Sequence, residues 1–562
     1  MLKKIKSYRI TSIIAFSLSL FNMLFYFSMR CIWTGIGKVL AGNQVIPNVL
    51  FIIMVLVFIA SFVLCALRLE KVPMYIVLGL SGIFFIVNAV IVFMGAWDSL
   101  IFIGREFFDC ILFVCLSIIL IWFIFFYQDS ELARKKYFKL GLVTGILVGA
   151  VIASLGLGIN NFTYKPVVYA VENEYQIVFS SSMDSTAWVK VGDTEYYDLY
   201  AGSEKSETKV HKVCVPMDKL NEEKEYTVYI KSMLMRGPYG SFEGQTKSLT
   251  YNFKPVDTTD GLYYYTLSDV HGATSSAINA ASIYGDKLDC LFILGDIYSL
   301  LEEVSDIQSV NEIAYGVTKG EKPVVYARGN HEVKGSVADS LYKYVGSVDG
   351  NFYYEVYLGD IYIVVLDMGE DHDDDWWEYY DTAHFGPYRD EQVKMVERVL
   401  DEKHYEGYKY KVALCHFSLI HIYNGKFLAS YRERFTELFN AMDFDMHLAG
   451  HEHRVIPFIP GEYTPNEKLY FNNPKYTSET GSYGSITDHK FYTFLVSSRT
   501  DVQNDDVKQD QLGKKLIGLA SFVDFNTKEI TVNYTTHKQE FVEIVSPFKD
   551  HTYGTEIKVP LL

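Results

Sequence analysis

Arg328-Gly329-Asn330-His331-Glu332 follows the apolar run Val324 to Ala327. A buried strand here would deliver an amide oxygen and an imidazole to the loop at its C-terminal end, where α/β sheets place their chemistry. The arrangement recurs along the chain. Ser268-Asp269-Val270-His271-Gly272 closes the run Tyr263 to Leu267, and Gly295-Asp296 closes Leu291 to Leu294. Cys415-His416 ends the run from Val412, and Gly450-His451-Glu452-His453 follows Met446 to Ala449. Any one of these, taken alone, reads as an ordinary polar residue at a strand end. Together they bring seven oxygen and nitrogen donors, Asp269, His271, Asp296, Asn330, His416, His451 and His453, to one end of a sheet.

Around these runs, from about Gly261 to Tyr534, β patterns alternate with helical ones such as Asp390 to Leu400 and Ser430 to Met442, which indicates an α/β sheet protein. Leu519 to Phe525 and Glu529 to Tyr534 flank Asn526-Thr527-Lys528 and are expected to form a closing hairpin. Residues 546–562, with Pro560, are expected to form a loose tail. Upstream, Tyr175 to Ser180, Ala187 to Val191, His211 to Val215, Tyr226 to Ile230 and Ser248 to Phe253 alternate in short runs between polar turns. That pattern predicts a β-sandwich module over 165–257. The approach Leu220 to Tyr226 resembles the tyrosine corner of fibronectin-III-like modules. Such a module serves as a spacer, or as a spacer that also borders the active site.

Charged residues make up 21% of the chain, below the ~25% of typical soluble domains, and the deficit is local. Residues 1–164 hold 13 basic and 6 acidic residues, the remainder 38 and 62. An acidic remainder argues against tracking along nucleic acid, which needs basic surface to displace counterions. An anionic substrate must then be drawn in by metal charge. Cys214, Cys290 and Cys415 are too few and scattered for a disulfide framework and are expected to be small buried apolar residues.

Apolar stretches at Ile10 to Phe27, Val45 to Leu67, Pro73 to Met94, Phe107 to Tyr127 and Leu140 to Leu157 each approach the ~20 residues a bilayer core requires. Residues 1–160 are therefore expected to be a helical membrane bundle of five spans. Lys3, Lys4, Lys6, Arg9, Arg68, Lys71, Arg134, Lys135, Lys136 and Lys139 would share one side, against Arg30, Lys38 and Arg105 on the other. The excess assigns the N-terminus to the cytoplasm and the large C-terminal part to the outside of a multi-pass cell-membrane protein. The alternative of a cleaved leader lacks a small-residue cleavage site. Gly141, Gly145 and Gly149 form a doubled G-x-x-x-G face on the fifth span, either a homodimer seam or a reflection of how common glycine is in membrane helices. The spans carry no ionisable residue at mid-depth, so the bundle is expected to anchor rather than transport.

Asp-x-His, Gly-Asp, Gly-Asn-His-Glu, an isolated histidine after a strand and Gly-His-x-His, in this order over 261–545, resemble the calcineurin-like metallophosphoesterase family. The resemblance implies an α/β sandwich of two mixed sheets flanked by helices. It further implies that Asp269, His271 and His453 hold one metal, that Asn330, His416 and His451 hold another, and that Asp296 bridges both. The chemistry asks for such a set independently. Two cations roughly 3.5–4 Å apart can clamp phosphate oxygens while a shared water loses a proton and attacks in line. Imidazoles and oxygens without thiolate suit two divalent transition-metal ions, manganese, iron or zinc. His331, beside a ligand but not assigned as one, is placed to donate a proton to the leaving oxygen.

The first module and Asp367-Met368-Gly369-Glu370-Asp371 resemble the purple acid phosphatase branch. That branch places a ferric-iron tyrosine three residues after the Gly-Asp aspartate, where this chain has Ser299, with Tyr298 one residue short. A divalent pair is the expectation. The acidic, aromatic segment Glu370 to Asp381 reads as a lid that covers substrate with Trp376 and Trp377, as an extra cation site, or as a solvated loop; His421 is a further candidate for substrate contact. The expected function is a membrane-anchored, outward-facing, metal-dependent phosphoesterase acting on a phosphate-ester substrate through a hydroxide shared by two metals. The competing reading is a surface receptor that binds phosphorylated ligands without turnover.

Overall fold

The computed structural model describes residues 15–26, 45–67, 76–86, 88, 160–200, 202–236, 241–420, 428–463, 468–470, 482–485, 487–496, 516–545 and 552–562. Two compact units divide the chain, one of residues 1–161, 182–184 and 231–246, the other of 162–181, 185–230 and 247–562.

In the first unit, helical segments at 15–26, α1 (Val45–Leu67) and 76–86 pack Ala15, Tyr26, Met54, Val57, Val77 and Phe84 together. Polar side chains join them, with Ser19 Oγ 2.7 Å from Ser61 Oγ and Asn22 donating to the Ser81 carbonyl at 2.7 Å. Among the described residues no helix is long and apolar enough to cross a membrane. A crossing takes about 20 consecutive apolar residues. The five-span bundle, and with it the multi-pass cell-membrane placement, is thereby overturned. The fourth and fifth expected spans, with the glycine seam at Gly141, Gly145 and Gly149, lie outside the described residues.

In chain order the strands that matter to the site are β1 (Phe162–Val171), β2 (Glu174–Val191), β3 (Thr194–Tyr197), β4 (Thr208–Pro216), β5 (Glu225–Arg236), β6 (Ser241–Asn252), β7 (Leu262–Leu267), β8 (Cys290–Ile293) and β9 (Pro323–Tyr326). They continue as β10 (Tyr354–Leu358), β11 (Ile361–Leu366), β12 (Tyr410–Cys415), β13 (Met446–Ala449), β14 (Pro457–Phe458), β15 (Tyr492–Leu495), β16 (Leu516–Asp524), β17 (Glu529–Thr536) and β18 (Ile557–Pro560). One sheet of 12 strands runs β18-β17-β16-β7-β8-β9-β1-β2-β5-β6, with β3 and β4 also paired to β2. A second sheet of six runs β10-β11-β12-β13-β15-β14.

The upstream strands appear where their alternation predicts them, but they build no separate sandwich. β1 lies parallel to β9, with Val168 opposite Pro323, so the whole upstream set extends the first α/β sheet. Tyr226 is no tyrosine corner either, because its hydroxyl donates to the Gly320 carbonyl at 2.7 Å, far along the chain rather than just upstream. The fibronectin-III-like module is thus corrected to a sheet extension. The closing hairpin forms as β16 and β17, with Asp524 Oδ1 accepting the Asn526 N–H at 2.8 Å in the turn. The end of the expected tail is the edge strand β18, which buries Ile557 and Val559. Cys290 and Cys415 are buried as expected, whereas Cys214 is exposed.

Side-chain alternation explains the layering. Along β11, Ile361, Ile363 and Val365 enter the core shared with the first sheet, and Tyr362, Val364 and Leu366 face the opposite core. Strands buried on both faces read as continuous apolar runs, as these do. The outer core is closed by α4 (Phe385–Glu402), through Met395, Val396 and Val399, and α5 (Ala429–Ala441), through Phe435, Leu438 and Phe439. Over the first sheet lie α2 (Thr274–Ala281) and α3 (Val304–Thr318). Between the sheets, the Tyr264 and Tyr410 hydroxyls meet at 2.7 Å and the Tyr354 hydroxyl donates to the Tyr326 carbonyl at 2.6 Å.

Candidate metal centre

β7, β8 and β9 are parallel and in register at their ends, with Ile293 opposite both Leu267 and Tyr326. β11, β12 and β13 are likewise parallel. Five loops therefore leave the two sheets at one edge, and they carry all seven expected donors.

Backbone hydrogen bonds stitch these loops together. The Asp269 N–H donates to the Gly295 carbonyl at 3.1 Å, the His271 N–H to the Asp296 carbonyl at 3.0 Å and the Gly450 N–H to the His416 carbonyl at 2.8 Å. From the other sheet, the His451 N–H donates to Asp269 Oδ2 at 3.1 Å. Glycine before a donor is what allows this approach. A Cβ on Gly450 would stand 1.8 Å from Ser268 Oγ, and one on Gly295, at φ +80°, would stand 2.1 Å from the Gly329 nitrogen. Asp269, His271, Asp296, His451 and His453 adopt left-handed φ of 53°, 45°, 53°, 67° and 50°. Such conformations each cost of order 1 kcal/mol or more in a non-glycine residue and persist where the surroundings over-determine them.

Two groupings result. Ligand atoms of Asp269, His271 and His453 lie within 4.8 Å of one another, and so do those of Asp296, His416 and His451. Asn330 belongs with the second, its Oδ1 lying 3.2 Å from His416 Nε2 and 3.1 Å from His451 Nδ1. Asp296 touches both groupings, because its ligand atom also clusters with His271 and His331.

Ring tautomers follow from the contacts. His416 donates Nδ1–H to the Leu294 carbonyl at 2.6 Å, which leaves Nε2 facing Asp296 Oδ2 at 3.2 Å. Burial opposes charge on both groups, yet each holds the other charged: Asp296 lies well below the usual carboxylate range and His416 well above the usual imidazole range. Burial, reinforced by the His416 charge, presses His451 down to about 4, and burial also lowers His271. His331 donates Nδ1–H to the Ser299 carbonyl at 2.6 Å, so Nε2 looks inward, 3.8 Å from Asp296 Oδ2.

The donor set fits cations. Asp269 Oδ1, His271 Nε2 and His453 Nδ1 are buried without a hydrogen-bond partner, which is costly unless something positive or proton-bearing binds there. Every donor is oxygen or imidazole nitrogen, the set suited to divalent transition metals.

Glu332 carried no assigned role in the sequence. Fully buried, it accepts the N–H groups of Asp296 at 2.7 Å, Ile297 at 2.7 Å and Gly329 at 3.0 Å, fastening the β8 loop to the β9 loop. Burial and then the Asp296 charge push its carboxyl up to about 7, against the pull of those N–H groups. Its only signal was its place after Gly-Asn-His. The acidic segment also stands at the centre, with Glu370 Oε1 3.4 Å from Asn330 Nδ2 and Asp371 Oδ2 3.9 Å from His451 Nε2. The Trp376 ring lies 4.0 Å from that of His372, tilted by 31°, whereas Trp377 is 66% exposed. Ser299 contributes its carbonyl to His331 and its hydroxyl to His271 at 3.3 Å, while Tyr298 is 36% exposed. His421 lies outside the described residues.

Residues 264–455 match the family described as calcineurin-like phosphoesterase. No curated protein matches. Among solved structures, the chain is similar to the purple acid phosphatase PPD1 from yellow lupin (Lupinus luteus) seeds, at 13% identity over 70% of this chain and 74% of that one, with a TM-score of 0.44. It is also similar to PhoD, at 13% identity over 69% and 90% with a TM-score of 0.39. GAP50, the anchor in the inner membrane complex of Plasmodium, follows at 10% identity over 54% and 90% with a TM-score of 0.30.

Proposed function

We propose, from the premise that this chain carries a calcineurin-like phosphoesterase domain and is a hydrolase of phosphoric esters, that it works with two divalent transition-metal ions held on either side of Asp296. The observation that carries the proposal is that buried Asp296 clusters with His416 and His451 on one hand and, on the other, with His271 of the Asp269–His271–His453 grouping. Asp269, His271 and His453 would hold one ion and Asn330, His416 and His451 the other. When bound, the ions supply the charge that attracts an anionic ester and acidify a water for in-line displacement at phosphorus.

The chain's own residues account for the rest. Asp296 faces His416 at 3.2 Å and accepts the His331 N–H at 2.9 Å, which fixes its two oxygens in different directions. Neutral Asn330 adds an oxygen without adding negative charge to a site that must admit a phosphate. His331, anchored through Nδ1–H, keeps Nε2 for the substrate and in its protonated form can give that proton to the leaving oxygen. Manganese, iron and zinc all suit this donor set, and Ser299 in place of a tyrosine favours a divalent pair over ferric iron.

The test is hydrolysis of p-nitrophenyl phosphate and bis(p-nitrophenyl) phosphate by the purified chain after exhaustive chelation and after readdition of manganese, iron(II) or zinc. Turnover should vanish on chelation and return with at least one metal. Equal turnover before and after chelation overturns the proposal.

A further inference from the structure

Asn330 is useful to a cation only when its oxygen, not its NH2 group, faces the site. Its amide lies between two surroundings, with His416 Nε2 and His451 Nδ1 on one side and the Glu370 carboxylate, 3.4 Å from Nδ2, on the other. An ionised carboxylate accepts hydrogen bonds and donates none, so only the NH2 group of Asn330 can face it. The oxygen is then turned inward by exclusion.

Glu370 is itself held from several directions. It is 4% exposed, and its Oε1 also meets the Lys334 ammonium. Its main-chain carbonyl accepts Nη2 of Arg389 at 2.5 Å. Arg389, 1% exposed on α4, also donates through Nε to the Met368 carbonyl at 2.8 Å and through Nη2 to that of His372 at 3.4 Å. One buried guanidinium thus grips three carbonyls of the segment that carries Glu370, where a rigid fork of donors is required and a lysine would not serve. Lys334 and the Asn330 amide both meet Oε1, which engages this oxygen of Glu370 as an acceptor for Asn330.

We propose that Glu370, locked by Lys334 and Arg389, is a positioning residue that keeps the Asn330 amide oxygen-inward and thereby builds the second metal position. This rests on the reading of Asn330 as a metal-facing residue, and the experiment separates the two.

Manganese(II) binding to the full chain is measured by competition with a fluorescent chelator, with metal content checked by elemental analysis. Asn330→Ala should weaken one of two bound ions. Glu370→Ala should weaken the same ion by about 10–100-fold, the usual effect of losing a partner that orients a ligand, and leave the other unchanged. Glu370→Gln, whose carbonyl can still accept from the amide, should restore most of that affinity. In an Asn330→Asp background both side-chain termini are oxygens and orientation no longer matters, so adding Glu370→Ala there should cost little or nothing. A merely structural Glu370 would cost the same in both backgrounds, and that result overturns the proposal. Wild-type affinity in Glu370→Ala alongside a loss in Asn330→Ala also overturns it while sparing the metal site. If Asn330→Ala keeps both ions at wild-type affinity, the reading of Asn330 falls and the proposal with it. Glu370→Met, which fills the volume without an acceptor, replaces the alanine variant if that one fails to fold.

Discussion

Replacing Glu332 with glutamine exchanges one carboxylate oxygen for an NH2 group at a point where three backbone N–H groups converge. Oε2 accepts from Asp296 and Gly329 and Oε1 accepts from Ile297, so in either amide orientation at least one N–H meets another donor. The site has no room to rearrange, because a Cβ on Gly329 would already stand 2.6 Å from Oε2. A buried N–H left without an acceptor costs about 1–3 kcal/mol, and the surviving bonds lose the strength an ionised acceptor gave them. Glutamine also removes a charge that burial and Asp296 oppose, so Glu332→Gln should cost roughly 1–3 kcal/mol, and Glu332→Ala more, against total stabilities of about 5–15 kcal/mol. The loss should also reach the metal centre, since the fastened N–H groups belong to the loops that carry Asp296 and Asn330. The assay is urea unfolding at pH 8 followed by circular dichroism, with manganese affinity measured in parallel. A glutamine variant within about 0.5 kcal/mol of wild type, with unchanged manganese affinity, would refute the reasoning, since even surface substitutions vary that much.

Asp296→Ala should lose metal occupancy and turnover together, whereas His331→Ala should keep its metals and lose about a hundredfold or more in turnover, most of all for esters with strongly basic alcohol leaving groups. Metal loss in His331→Ala, measured by elemental analysis, would instead make that histidine a ligand. The iron-loaded protein should lack a visible tyrosinate-to-iron band, because Ser299 is hydrogen-bonded to His271 at 3.3 Å where a ligating tyrosine would be needed. Acid should unlock the β12 loop: His447 is buried and neutral, accepting the Leu419 N–H and donating to the Ala413 carbonyl, both at 3.1 Å, and burial lowers its pKa to about 3. A folded pKa below the unfolded ~6.5 gives stability that is complete above 6.5 and is lost as pH falls toward 3, on the order of a few kcal/mol. Asp289 and Asp445, raised by burial to about 6, act in the opposite sense, so the check is that His447→Gln flattens the acid limb of urea midpoints taken from pH 8 to 4 in chelator.

The strands that precede the candidate site were legible because they are almost wholly buried and read as largely apolar runs. Their partners were not. Alternation in Tyr175 to Ser180 or His211 to Val215 specifies a strand with two unlike faces, and it says nothing of which strand lies beside it. The β1–β9 pairing that turns an expected sandwich into a sheet extension joins residues some 150 positions apart, through a register of Val168 on Pro323 and Tyr169 on Val324. The edge strand β18 was missed for another reason. Ile557-Lys558-Val559-Pro560 alternates buried with exposed, but four residues before a terminus give too short a pattern to separate from a tail. The expected membrane bundle came from hydropathy alone, which sees apolar length and not how a chain is folded.

The candidate donors could be picked out because each follows its own strand directly, so a single stretch of sequence holds both the strand and the candidate. The residues that aim them come from elsewhere: Glu370 approaches Asn330 from the β11 loop, Arg389 from α4, and Leu294 fixes the tautomer of His416 from another sheet. The left-handed backbone at Asp269, His271, Asp296, His451 and His453 was equally hidden, since local preference would assign such angles to glycine. These five residues break the local rule together, and the cross-loop bonds, such as the His451 N–H on Asp269 and the His271 N–H on the Asp296 carbonyl, are what can hold them there. The loops are therefore set by one another rather than by their own sequences, so a substitution in any one of them should disturb donors on the others.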